Sequence, residues 1–126
     1  MPLCIVVDDH VDTREGFAEY LRHSGFDVRT AGDASELRAL LAEVTPAAVL
    51  MDVQMPLVDG WTLTREIKEN ERTQQTRVLV ISASVGEGFR RAADMAGADA
   101  LLAKPCDPQR IVVELTRLLD CPVPAL

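Results

Sequence analysis

At 126 residues the chain suits one compact domain and leaves no room for two of ordinary size. Its composition, 48% hydrophobic and 26% charged, is that of a globular protein. With 20 acidic residues against 13 basic and a net charge of −7, it is unsuited to binding a phosphate backbone or an anionic membrane, both of which depend on clustered Lys and Arg.

Five short apolar runs alternate with longer amphipathic stretches. The first run, Leu3–Val7, is unbroken apolar, as a strand covered on both faces requires. After Asp8, Asp9 and His10, a helix is expected that Asp12 caps and that packs Phe17, Tyr20 and Leu21. Gly25 marks its stop, and a second strand follows over Phe26–Thr30. Gly32 suits the next turn. Asp33 with Glu36 resembles a capping box, after which Leu37, Leu40, Leu41 and Val44 share one helical face. A third strand spans Ala48–Met51 and is followed at once by Asp52. Met55-Pro56 and Asp59-Gly60 read as turn residues ahead of a third helix, in which Leu63 and Ile67 look like core and Trp61 has no evident place. The fourth strand, Val78–Ile81, is again wholly apolar and leads to Ser82 and Ala83. Ser84 with Glu87 offers a capping box for a fourth helix, although Gly86 and Gly88 weaken its start; Gly97 suits its end. The fifth strand, Ala100–Ala103, runs into Lys104 and Pro105. Asp107-Pro108 then opens a last helix with the apolar stripe Ile111, Val112, Leu115, Leu118 and Leu119. The chain thus reads as a single domain over 1–126 with an ordered core over about 3–120 and 121–126 as a loose tail or the start of a linker.

Strand–helix alternation with short connections implies a parallel sheet between layers of helices. Right-handed crossovers bring the carboxyl end of every strand to one edge, where open parallel sheets bind their ligands. At that edge stand Asp8 and Asp9 after the first strand, Asp52 after the third, Ser82 after the fourth and Lys104 after the fifth. Taken singly, each has an ordinary explanation: an Asp or Ser after a strand is usually a cap, and a Lys is usually solvated. Together, three carboxylates and one ammonium leave a net charge of −2. Two like charges about 4 Å apart repel by about 4 kcal/mol at an effective dielectric of about 20, so the cluster favours a divalent cation. Hard oxygen donors with space for water select Mg²⁺, and a carboxylate beside Mg²⁺ and an ammonium is fitted to phosphoryl transfer.

Cys4, Cys106 and Cys121 form no C-x-x-C pair, and neither His10 nor His23 stands at zinc-ligand spacing from them, so reduced thiols are expected. The N-terminus lacks the basic and apolar regions of a signal peptide, and no apolar run approaches the ~20 residues of a membrane span. A cytoplasmic protein is expected.

The residues Val6-Val-Asp-Asp9, Asp52-x-x-Met-Pro-x-x-Asp-Gly60, Ser82-Ala83, Ala96-Gly-Ala-Asp99 and Lys104-Pro105, in this order and spacing, resemble the receiver domain of bacterial two-component response regulators over almost the whole chain. The resemblance implies a flavodoxin-like, doubly wound fold: a five-stranded parallel sheet of order 2-1-3-4-5 with two helices on one face and three on the other. It implies Asp52 as phospho-acceptor, with Asp9 and Asp52 as direct Mg²⁺ ligands. Asp8 would act through coordinated water, and Gln54 would contribute its backbone carbonyl. Ser82 matches the hydroxyl that turns toward the phosphoryl group, and Lys104 the lysine that pairs with it, preceding a cis proline. The implied partners are a sensor histidine kinase or phosphotransfer protein and a downstream effector or an output domain outside these residues. The implied switch face joins the fourth helix, fifth strand and fifth helix, through which such domains commonly form homodimers. Such a domain assists its own phosphorylation and dephosphorylation without being an enzyme.

Two positions depart from the pattern. Leu101 stands where the family usually carries Tyr or Phe, and Cys106 where Phe commonly follows Lys-Pro. Neither touches metal or acceptor, but both keep a pseudo-receiver, a constitutive protein-interaction module, in view. A Mg²⁺-dependent aspartyl-phosphate phosphohydrolase is disfavoured, because such enzymes commonly want a second acid where Gln54 stands and need a substrate cap. No G-x-G-x-x-G follows a strand, against a nucleotide-binding domain.

Overall fold

In the computed structural model, which describes residues 1–53, 59–83 and 86–120, the elements run in strict alternation. They are β1 (Leu3–Val7), α1 (Val11–His23), β2 (Asp27–Ala31), α2 (Ala34–Glu43), β3 (Ala48–Asp52), α3 (Gly60–Glu69), β4 (Arg77–Ser82), α4 (Glu87–Ala96), β5 (Ala100–Ala103) and α5 (Pro108–Asp120). All strand pairs are parallel and the sheet order is β2-β1-β3-β4-β5, as expected. Gln54, Met55-Pro56, Ser84 and the tail from Cys121 lie outside the described residues. No helix among the described residues is long and apolar enough to cross a membrane.

The period-2 alternation of the strands splits the core into two layers. Cys4, Val6, Leu50, Leu79 and Ile81 face α1 and α5, meeting Phe17, Leu21, Ile111 and Leu115. Ile5, Val7, Val49, Met51, Val78 and Val80 face the other way, onto Leu37 of α2 and Leu63 and Ile67 of α3. Two helices therefore cover one face, while α2, α3 and α4 lie on the other. Each fully buried Val, Leu or Ile of these central strands contributes roughly 1.5–3 kcal/mol.

Helix ends follow local chemistry with two corrections. Asp33 Oδ1 accepts from Glu36 N at 2.8 Å while Glu36 Oε1 accepts from Gly32 N, so the predicted box reaches back one residue further than expected. Asp107 Oδ1 accepts from Gln109 N at 2.9 Å, as its position before Pro108 suggested. Asp12, however, is not a cap: α1 begins at Val11, its N-cap is His10, and Asp12 lies in the first turn. The reason is Asp8, whose side chain takes the His10 N–H at 2.9 Å and turns the chain into the helix early. α4 is described from Glu87 with Gly86 as its N-cap, so the expected pairing of Ser84 with Glu87 falls outside the described residues. Tyr20 is 39% exposed rather than core, since Ala18 shares the buried stripe with Phe17 and Leu21.

α1 and α4 both close with a left-handed glycine. Gly25 (φ 100) and Gly97 (φ 88) allow Phe26 N to reach Leu21 O at 3.1 Å and Ala98 N to reach Ala93 O at 2.9 Å. The first of these ties Phe26 to the helix end, which is why β2 starts at Asp27, one residue later than expected. At the amino edge of the sheet, Asp99 accepts from Val78 N at 2.7 Å and pairs with Lys68 at 2.7 Å and Arg77 at 3.3 Å. That network anchors α3, β4 and β5 on the side opposite the polar cluster.

Candidate functional site

The register of the sheet decides which chain ends meet. Val7 lies opposite Met51, Asp52 opposite Ile81, and Ser82 opposite Ala103. Asp8, Asp52, Ser82 and Lys104 therefore terminate four adjacent strands at one edge. Lys104 N donates to Ser82 O at 2.8 Å, continuing the β4–β5 ladder one residue past the strand. The Lys104-Pro105 peptide is cis, in line with expectation.

Asp8 and Asp52 are buried, at 0% and 2% exposure, and Ser82 is buried beside them. Lys104 spans the two acids: its Nζ lies 3.1 Å from Asp8 Oδ2 and 3.2 Å from Asp52 Oδ2. Burial by itself would lower the pKa of this ammonium. The charges of Asp52 and Asp8 and the two hydrogen bonds outweigh it, so the Lys104 pKa stands above the ordinary lysine value.

Asp9 is half-buried beside this pair. Its Oδ1 is screened from water and makes no hydrogen bond. The nearby His10 Nδ1, at 3.2 Å, is placed for an electrostatic contact only. An orphaned carboxylate oxygen costs stability unless something supplies positive charge. Asp8, Asp9, His10 and Asp52 each offer a donor atom, all within 4.8 Å of one another. The acidic cluster therefore fits a metal ion, and it can do so while Lys104 neutralises one of its charges.

Two residues support the site: Arg14, which carries no evident mark in the sequence, and Gly60, which the sequence marks only as a turn. Arg14 Nη1 donates to Asp8 O at 3.0 Å and fixes the turn that carries the acids. Gly60 lies so close to the end of β3 that a Cβ there would stand 2.6 Å from Val53 Cα and 2.8 Å from Asp52 O. Asp59 Oδ1 caps α3 through Thr62 N at 2.8 Å, so Asp59-Gly60 holds a tight turn rather than doing chemistry. Trp61 finds its place against the outer core layer, its ring 6.3 Å from that of Phe89 on α4. Leu101 packs onto the same layer and also lines a groove between α4 and α5, together with Arg90, Leu102, Cys106 and Arg110.

Taken together, these features define a doubly wound α/β domain whose carboxyl edge gathers buried acids and a lysine at a topological switch point. The family model for the response regulator receiver domain matches residues 4–116. The chain is 34% identical over 116 residues to response regulator Rre1 of Synechocystis, covering 91% of this chain and 50% of that protein. It is 31% identical over 115 residues to transcriptional regulatory protein GltR of Pseudomonas aeruginosa, covering 91% of this chain and 48% of that one. The chain thus spans about half the length of the curated relatives it matches. In fold it is similar to Vibrio cholerae chemotaxis protein CheY4, with a TM-score of 0.90 at 24% identity, covering 94% and 99% of the two chains. Response regulator DrrB of Thermotoga maritima superimposes with a TM-score of 0.86 at 26% identity, covering 96% of this chain and 54% of that one.

The chain belongs to the response regulator receiver domain family of two-component, phosphorelay signalling.

Proposed function

We propose that Asp52 accepts the phosphoryl group in a Mg²⁺-dependent reaction, with a histidine kinase or phosphotransfer protein as donor. The observation that carries this reading is the pairing of a buried Asp52 with Lys104 next to an Asp9 oxygen that makes no hydrogen bond. In the transfer, an Asp52 carboxylate oxygen forms the new O–P bond as the donor's N–P bond breaks. The electron pair of that bond leaves with the donor imidazole, which takes up a proton. Lys104 Nζ stabilises the negative charge spread over the phosphoryl oxygens. Asp9, Asp52 and the Gln54 carbonyl would hold Mg²⁺, with Asp8 reaching it through water; when bound, the ion neutralises charge on the transferred group. Ser82 donates its hydroxyl to a phosphoryl oxygen.

The domain is then a phospho-accepting signalling module that assists its own phosphorylation and dephosphorylation in the cytoplasm. Phosphorylation replaces a single charge by about −1.5 to −2 and three strong acceptors, giving Ser82 reason to swing inward and bias the α4–β5–α5 face. Leu101 stands on that face as an apolar, half-buried side chain, so effector binding or self-association there works by apolar packing between Arg90 and Arg110.

Incubation with Mg²⁺ and a small-molecule phosphodonor tests the reading. A base-labile, phosphoryl-sized mass gain is expected on the wild type and none on Asp52→Asn. The same gain on Asp52→Asn would overturn it. A constitutive interaction module would take no phosphoryl group, and a phosphohydrolase would turn the donor over.

A further inference from the structure

We infer that His10 supplies an imidazole nitrogen to the cation site, so that the pocket selects first-row transition cations over Mg²⁺. The inference rests on the metal reading of the Asp8–Asp9–Asp52 cluster and adds a ligand to it. His10 is the N-cap of α1, and its backbone N–H is held by Asp8 Oδ1 at 2.9 Å. That bond pins the residue at the mouth of the cluster. Its Nδ1 lies 3.2 Å from Asp9 Oδ1 and 3.3 Å from Asp8 Oδ1. Bonds of about 2.1 Å to one ion place neighbouring donor atoms about 3.0 Å apart, so the Asp9 contact has the spacing of adjacent ligands. The donor atoms of Asp8, Asp9, His10 and Asp52 lie within 4.8 Å of one another, which leaves Asp8 able to reach the same ion through water.

The ring is also free to do this. The His10 side chain is 70% exposed, so it can meet an ion from the solvent side without giving up core packing. Facing it from the packed elements are Asp8, Asp9 and, across the cluster, Asp52 and Lys104. Oxygen-only sites suit Mg²⁺, whereas one imidazole shifts preference toward Mn²⁺, Co²⁺ and Ni²⁺, whose affinities for nitrogen donors rise in that order. The alternative role for His10 is that of an imidazolium paired with two carboxylates. The two roles predict effects of opposite sign, because a cation at the site mouth repels every incoming ion equally.

The test is calorimetric titration of the chain, His10→Ala and Asp9→Asn with Mg²⁺, Mn²⁺ and Ni²⁺, with pulsed electron paramagnetic resonance of the Mn²⁺ form. The expected result is that His10→Ala weakens Ni²⁺ by at least about tenfold, the lower end of what losing even an outer partner of a ligand costs. Mg²⁺ affinity should change far less, and a nitrogen coupling to Mn²⁺ seen in the wild type should vanish. Equal tightening of all three ions in His10→Ala, or no nitrogen coupling in the wild type, would overturn the inference. Asp9→Asn keeps the two readings apart. If it weakens every ion while His10→Ala leaves the Ni²⁺ to Mg²⁺ ratio unchanged, only the histidine role fails. If it weakens none, the cation site itself is wrong.

Discussion

Lys104 Nζ stands 3.2 Å from Asp52 Oδ2, although 52 residues separate the two in the chain. The same nitrogen reaches Asp8 Oδ2 at 3.1 Å, across 96 residues. One ammonium thus ties the ends of β1, β3 and β5, and it does so where two carboxylates are withdrawn from water. Its presence is what allows the acids to be buried together.

Removing that ammonium withdraws the Lys104 charge from two buried carboxylates, Asp8 and Asp52. Breaking such a pair by deleting one partner costs about 3–5 kcal/mol, and the lower figure suits Lys104, whose side chain is 20% exposed. Lys104→Met is expected to lose about 3 kcal/mol in urea unfolding without divalent ions. Millimolar Mg²⁺ should restore part of the loss in the variant, and more than it adds to the wild type. An unchanged unfolding midpoint in the metal-free variant would refute the electrostatic account.

Alkaline pH should weaken the fold through two groups that act in the same direction. Burial pushes the Cys4 thiol up to about 12, against a small opposing effect of a backbone hydrogen bond with Leu50. The native state therefore keeps a proton that the unfolded chain loses, and stability falls as pH rises from about 9 to about 12. Lys104 likewise keeps its proton longer when folded, so its contribution holds below the ordinary lysine pKa and is lost as pH climbs through the raised value. Each such proton adds a slope of ~1.4 kcal/mol per pH unit. Denaturant titrations above pH 9 should show a steeper decline for the wild type than for Cys4→Ala, whatever the variant loses at neutral pH. Parallel curves would rule out Cys4 as a source.

Gly60 is the position at which packing and chemistry meet most directly. A methyl group there would press on Val53 Cα and Asp52 O, both backbone atoms with no rotamer to yield. Overpacking of this kind costs typically 1–3 kcal/mol. Gly60→Ala is expected to lose about 2 kcal/mol and to slow Asp52 phosphorylation, because relief of the clash moves the end of β3. Loss of stability with an unaltered phosphorylation rate would separate the turn from the acceptor's positioning.

Much of this protein was readable from local pattern. Apolar runs such as Leu3–Val7 and Val78–Ile81, and stripes such as Ile111–Leu115–Leu118, encode strands and helices because their periodicity is a property of neighbouring residues. The topology rules for parallel sheets then bring Asp8, Asp9, Asp52, Ser82 and Lys104 to one edge. Tertiary structure decided the rest. Whether Asp12 or His10 opens α1 depended on the reach of the Asp8 side chain, and whether Tyr20 is buried depended on how α1 lies on β2 and α5. The parts played by His10, Arg14 and Gly60 follow from distances of a few ångströms across the Asp8 turn and the β3–α3 connection. Such distances are set by strand register and helix docking, which no stretch of neighbouring residues encodes.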